Sequence, residues 1–135
     1  MAELCVEAAV ENLDTVLEFV DNILDESGCS PKAKMQLDIA VEELFVNIAH
    51  YAYSPEVGNA TVRVETRAEP LQVIITFIDH GVPYDPLAKP DPDVTLSAED
   101  RPIGGLGIYL VKKSMDLVRY TYQDGKNILS IQKNL

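Results

Sequence analysis

From about Val10 to Glu26 the apolar residues Leu13, Val16, Leu17, Val20 and Leu24 recur at helical spacing, with Asp14, Glu18 and Asp21 on other faces. That pattern predicts a first amphipathic helix. The segment SGCSP breaks it. Ser30 suits an N-cap and Pro31 the first helical position, so a second helix is expected from there to about Ala52. Ahead of both, residues 2 to 8 fit a short strand. Beyond the turn-like SPEVGN, TVRVETRA alternates strictly, with Val62, Val64, Thr66 and Ala68 on one face and Thr61, Arg63, Glu65 and Arg67 on the other. This is a strand with one wet face. LQVIITFID repeats the alternation with Leu71, Val73, Ile75 and Phe77 together, which predicts a hairpin, and by parity Asp79 falls on the apolar side.

Pro83, Pro86, Pro90, Pro92 and Pro102 crowd residues 80 to 104, a density that regular structure cannot accept. A loop of that length inside a compact domain is usually functional. GGLGIYLVKKSMD follows as a third helix opened by glycines, and LVRYTYQ and KNILSIQ close the chain as two strands about an Asp124-Gly125 turn. Strand, two helices, hairpin, long loop, helix, hairpin: this order fits one α/β (α+β) domain over residues 1–135. The expected architecture is a two-layer sandwich, a mostly antiparallel mixed sheet with helices on one face.

Composition narrows the function classes. A chain of 135 residues is long enough for a real core. Its 22 acidic against 11 basic residues leave a net charge of −11, which repels a polyphosphate backbone and argues against direct nucleic-acid binding. No apolar run approaches the ~20 residues that span a bilayer, and the N-terminus lacks a basic start followed by an apolar stretch. A cytoplasmic protein with no membrane contact is expected. Cys5 and Cys29 form no metal-ligand or disulfide pattern and are expected to be free thiols.

Three polar features need a reason. Glu43 and Asn47 are helical neighbours with His50 one turn further along, while Leu37, Val41, Leu44 and Ile48 form a separate stripe. Such a line is either a solvated face or the wall of a site. Asp79, a carboxylate at the end of an apolar strand face, needs a donor: either the turn at Gly81 or a ligand. The run Gly104, Gly105, Leu106 and Gly107 opens a helix whose free N–H groups suit a phosphate, or else serves a tight loop-to-helix junction.

The joint order is more specific than any one part: EELFVNIAHYAY, then DHGVPYDPLA, then GGLGIYLVKKSMD. In these motifs the chain resembles, over nearly its whole length, the GHKL nucleotide-binding superfamily, and within it the small bacterial anti-sigma-factor serine kinases. The resemblance implies the Bergerat ATP-binding fold, with ATP held between helices and sheet under a lid at about residues 84–103. By the same resemblance Asn47 binds Mg2+ and Glu43 takes the proton of the attacking hydroxyl. Asp79 accepts a hydrogen bond from the adenine amino group, and Gly81 lets the base approach the backbone. The glycines from Gly104 to Gly107, with Leu106 among them, hold phosphate. Arg101 is a further phosphate candidate, set against a solvent-facing loop arginine. Lys112, Lys113 and His50 are expected to be structural or solvated.

The function so implied is an ATP-dependent protein-serine kinase that phosphorylates a small STAS-type antagonist protein, with a sigma factor as a second partner to sequester and a homodimer left open. The alternative is a regulatory binding module in which nucleotide sets partner affinity without phosphotransfer.

Overall fold

The computed structural model describes residues 1–53, 56–68, 71–88 and 106–135, and of Leu106 the backbone alone. The described residues hold five strands: β1 (Ala2–Glu7), β2 (Asn59–Arg67), β3 (Gln72–Asp79), β4 (Leu117–Gln123) and β5 (Lys126–Asn134). They form one sheet in the order β1-β2-β3-β5-β4, and every pairing is antiparallel rather than mixed. The helices α1 (Leu13–Glu26), α2 (Pro31–Tyr51) and α3 (Leu106–Ser114) make the second layer.

The expected first helix is split, with a 3-10 turn at Val10–Asn12 preceding α1. Asn12 explains the break: its backbone is not helical, at φ −94° and ψ 0°, and its Nδ2 donates to the Glu7 carbonyl at 2.8 Å, tying the turn to the end of β1. The second helix starts as the sequence predicts, with the Ser30 side chain accepting from the Ala33 N–H and Pro31 in the first turn. α3 ends at Ser114, two residues before the expected Asp116. Lys133 Nζ donates to the Ser114 carbonyl at 2.8 Å, a cation at the negative end of the helix. Asp116 N–H bonds to the Gln132 carbonyl, so the chain has already joined the sheet.

Alternation decides the core. Val73, Ile75 and Phe77 of β3 meet Ala60, Val62 and Val64 of β2 and Leu129 and Ile131 of β5 on the covered face. Val16, Val20 and Leu24 of α1 and Leu37, Val41, Leu44 and Phe45 of α2 pack onto them. Thr66 has the inward parity expected of it, yet it is exposed, because burial on β2 stops at Val64. The Asp124-Gly125 turn has positive φ at both residues, 54° and 76°, the geometry that suits a two-residue hairpin. Among the described residues no helix is long and apolar enough to cross a membrane. Cys5 and Cys29 are both free thiols.

Candidate active site

α2 places Glu43 beside α3 and Asn47 beside the end of β3. The Glu43 carboxylate lies directly against Gly107 in the first turn of α3. A Cβ at position 107 would sit 2.2 Å from Glu43 Cδ and 2.3 and 2.4 Å from its two oxygens. Only glycine there leaves room for the carboxylate. Asn47, one turn along α2, lines a pocket that also takes in Asp79. Leu44 and Ile48 of α2, Phe77 of β3 and Leu129 of β5 give that pocket apolar walls.

Asp79 is 4% exposed, so its charge must be offset by donors. Its Oδ1 accepts the Gly81 N–H at 2.9 Å and an Asn127 Nδ2–H at 2.9 Å. The turn cap, one of the two alternatives the sequence leaves open, is present, and Asp79 also lines the pocket. Both bonds fall on Oδ1, and no donor among the described residues is placed on Oδ2. Gly81 has a packing reason of its own. A Cβ on it would lie 2.1 Å from the Ala52 carbonyl oxygen at the end of α2, and the next N–H, that of Val82, donates to that same oxygen at 3.0 Å.

Tyr53 locks this corner further. Its hydroxyl donates to the Asn59 carbonyl at 2.6 Å and accepts the His80 N–H at 2.7 Å, joining the ends of α2 and β3 to the start of β2. Burial pushes its phenol above the ordinary value, which keeps it a donor.

Among the pocket residues that can hydrogen-bond, Tyr51, Tyr84, Tyr120 and Asn127 were not singled out from the sequence. Tyr51 and Tyr84 stack at 5.8 Å with ring planes 27° apart, bracing the start of the proline-rich segment against α2. Asn127 stands opposite Asp79 in the β3–β5 register. A signal for it existed: it has the same parity on KNILSIQ as the buried Leu129 and Ile131, a polar residue at a core position, as Asp79 is on its own strand.

His50 is exposed and makes an edge contact with Tyr51. Lys113 is exposed and lies 5.5 Å from the Tyr109 ring centroid on its own helix, and Lys112 is half-buried. Arg101, Gly104, Gly105, the side chain of Leu106 and residues 89–103 of the expected lid lie outside the described residues. Within the described part of that segment, Pro86–Ala88 forms a 3-10 turn with Pro86 buried.

The arrangement is an apolar slot with one buried carboxylate at its sheet end and, on α2, an amide and a second carboxylate leading to the start of another helix. Known proteins resemble the chain to differing degrees. The serine/threonine-protein kinase BtrW of Bordetella bronchiseptica is 27% identical over 116 residues, covering 85% of this chain and 80% of that protein. The serine-protein kinase RsbW of Bacillus cereus is 24% identical over 131 residues, covering 94% of this chain and 81% of that protein. A crystal structure of the SiaB–SiaC complex from Pseudomonas aeruginosa superposes with a TM-score of 0.59 at 16% identity, covering 98% of this chain and 89% of that chain, which is a likeness of fold. The family model of the histidine kinase-like ATPase domain matches residues 6–133, nearly the whole chain, and the protein belongs to that family.

Proposed function

We propose that the protein is an ATP-dependent protein-serine kinase of the anti-sigma-factor type, acting in the cytoplasm on a small STAS-type antagonist protein. The observation that carries the reading is the placement of the Glu43 carboxylate against Gly107 at the start of α3, one turn from Asn47 at the pocket. The relatives named as serine kinases support the reaction type.

The residues present fit the nucleotide. The slot between Leu44 and Ile48 of α2 and the Phe77–Leu129 pair on the sheet suits a flat apolar base, and Asp79 offers it Oδ2, on which no donor among the described residues is placed. Mg2+ binds through one or two protein oxygens together with phosphate oxygens and waters. Among the described residues no three His, Cys, Asp or Glu side chains gather to hold a metal, so a metal here relies on Asn47 Oδ1 and the nucleotide's own phosphates. When bound, Mg2+ neutralises charge on those phosphates. Gly104, Gly105, Leu106 and Gly107 are assigned to the phosphates as the loop and first turn of α3, and Arg101 to the same charge.

In this reading Glu43 takes the proton of the attacking serine hydroxyl as its oxygen bonds to the γ-phosphorus and the bond to the bridging oxygen of ADP breaks. Phosphoryl transfer needs positioning and charge stabilisation more than covalent help, and Glu43 and Asn47 are held at fixed spacing on one helix. A sigma factor as second partner, and a homodimer, belong to the same proposal.

The test is to incubate the protein with labelled ATP, Mg2+ and candidate antagonist proteins from its own genome. Glu43→Gln should retain ADP affinity by calorimetry and lose at least ~100-fold in transfer, the usual scale of a general base. Transfer at the wild-type rate would rule out Glu43 as the base. ATP binding without transfer to any antagonist would favour the regulatory binding module.

A further inference from the structure

We infer that Asn127 is a positioning residue of the nucleotide site, whose side chain fixes the Asp79 carboxylate and the backbone of residues 82–84 in the arrangement that selects a base carrying an amino group. The inference rests on the ATP reading above and adds a residue to it.

Asn127 is 5% exposed, and among the described residues it and Asp79 are the two buried polar residues. An asparagine side chain has two N–H donors and two acceptor lone pairs, and all four are used here by protein groups. Nδ2 donates to Asp79 Oδ1 at 2.9 Å and to the Val82 carbonyl at 2.8 Å. Oδ1 accepts the Tyr84 N–H at 3.1 Å and the Tyr120 hydroxyl. Burial pushes the Tyr120 phenol up, so it stays protonated and able to donate.

No hydrogen-bonding capacity remains for a ligand, although the residue lines the pocket. Its influence on a base must therefore pass through what it holds. With the Gly81 N–H, the Asn127 amide completes a pair of donors on Asp79 Oδ1. The pair pins the plane of the carboxylate, keeps it an acceptor and leaves Oδ2 to demand a donor. A base with a carbonyl in place of the amino group then meets acceptor against acceptor, and a buried polar group left unpaired is penalised more than a made bond is rewarded. The same amide ties Val82 and Tyr84, and so sets where the segment after β3 leaves the sheet.

Calorimetry with Mg2+ on the wild type, Asp79→Asn, Asn127→Ala and the double variant, using ADP and inosine diphosphate, separates this role from a merely structural one. Asn127→Ala should lose about 10-fold in ADP affinity, the scale of one charge-assisted hydrogen bond. Its affinity for inosine diphosphate should change little, so that discrimination between the two bases shrinks. The double variant should bind ADP no more weakly than Asp79→Asn alone, because both changes act on one contact. Unchanged discrimination, or losses that add, would overturn the assignment.

Should Asn127→Ala not fold, Asn127→Asp keeps the shape and sets a second carboxylate against the first. Two such groups in contact cannot both ionise. ADP affinity relative to the wild type should then recover as pH falls from 8 towards 5 and one proton restores a donor; a constant ratio would overturn the assignment. A wild type that binds neither nucleotide refutes the ATP reading and this assignment with it, whereas a wild type that binds ADP, with variants that discriminate as it does, refutes only the role of Asn127.

Discussion

Gly107→Ala isolates the position of the Glu43 carboxylate from its presence. The new methyl carbon would stand 2.2 Å from Glu43 Cδ, against an ordinary carbon–carbon contact of ~3.5–4.0 Å, so the carboxylate has to withdraw by about 1.5 Å. The atoms in the way are the far end of a flexible side chain, which can rotate out without moving α2 or α3. Alanine is also the better helix former by roughly 1 kcal/mol. Thermal stability should therefore stay close to the wild type. Phosphotransfer should not, because a misplacement of ~1 Å at a reacting group costs on the order of 100-fold. The assay is single-turnover transfer from labelled ATP to an antagonist protein, with ADP affinity by calorimetry and a thermal melt run beside it. Wild-type transfer would refute the claim that Glu43 must sit against α3 to act. A loss confined to ADP affinity would show instead that Gly107 serves the phosphates.

The other perturbations address the base end of the site and the α1–α2 interface. Gly81→Ala drives a Cβ to 2.1 Å from the Ala52 carbonyl oxygen, a backbone atom that cannot rotate away, so urea unfolding should show a loss of about 1–3 kcal/mol. An unchanged midpoint would mean that the α2–β3 corner is looser than the structure has it. Between the helices, Asp21 and Asp38 each bury an Oδ1 without a hydrogen-bond partner, and burial first, then the neighbouring Asp21 carboxylate, raises the Asp38 carboxyl from 3.8 to about 7. The folded state thus holds a proton that the unfolded chain releases near pH 4, and the stability it confers should decline as pH rises from ~4 to ~7 and level off above. Lys34, paired with Asp25 at 2.9 Å, faces the same cluster; Asp38→Asn, whose amide can donate to Asp21 at any pH, should flatten that slope in pH-dependent melts, and an unaltered slope would assign the proton elsewhere.

Alternation made most of this legible. Asp79 could be placed on the inner face of β3 by parity alone, because a strand's period of two admits no ambiguity once Val73, Ile75 and Phe77 are assigned to the core. The same rule applied to KNILSIQ would have exposed Asn127, since Leu129 and Ile131 set the parity and Asn127 shares it. Tyr51 and Tyr84 were beyond reach for a different reason. Tyr51 follows from α2 only in angle, and its partner Tyr84 lies outside regular structure, where no period says which way a side chain points. Nor could spacing show that Gly107 and Gly81 each face a neighbouring element at less than 3 Å from a would-be Cβ. That fact belongs to how α2 packs, and two glycines read as ligand contacts prove to have steric reasons in the protein itself.

Those two close approaches sit at opposite ends of the same stretch of helix. Glu43 meets Gly107 at one end, Asn47 reaches the pocket between, and the Ala52 carbonyl receives Val82 at the other. Nine residue steps lead from Glu43 to the C-cap Ala52, roughly 13 Å at 1.5 Å per residue, and Leu44 and Phe45 anchor that stretch fully in the core. The end assigned to chemistry and the end assigned to the base are thus held apart by one packed element rather than by loops. A change that shifts α2 along its axis should damage binding and transfer together, whereas Gly107→Ala and Gly81→Ala, each acting at one end, should separate them.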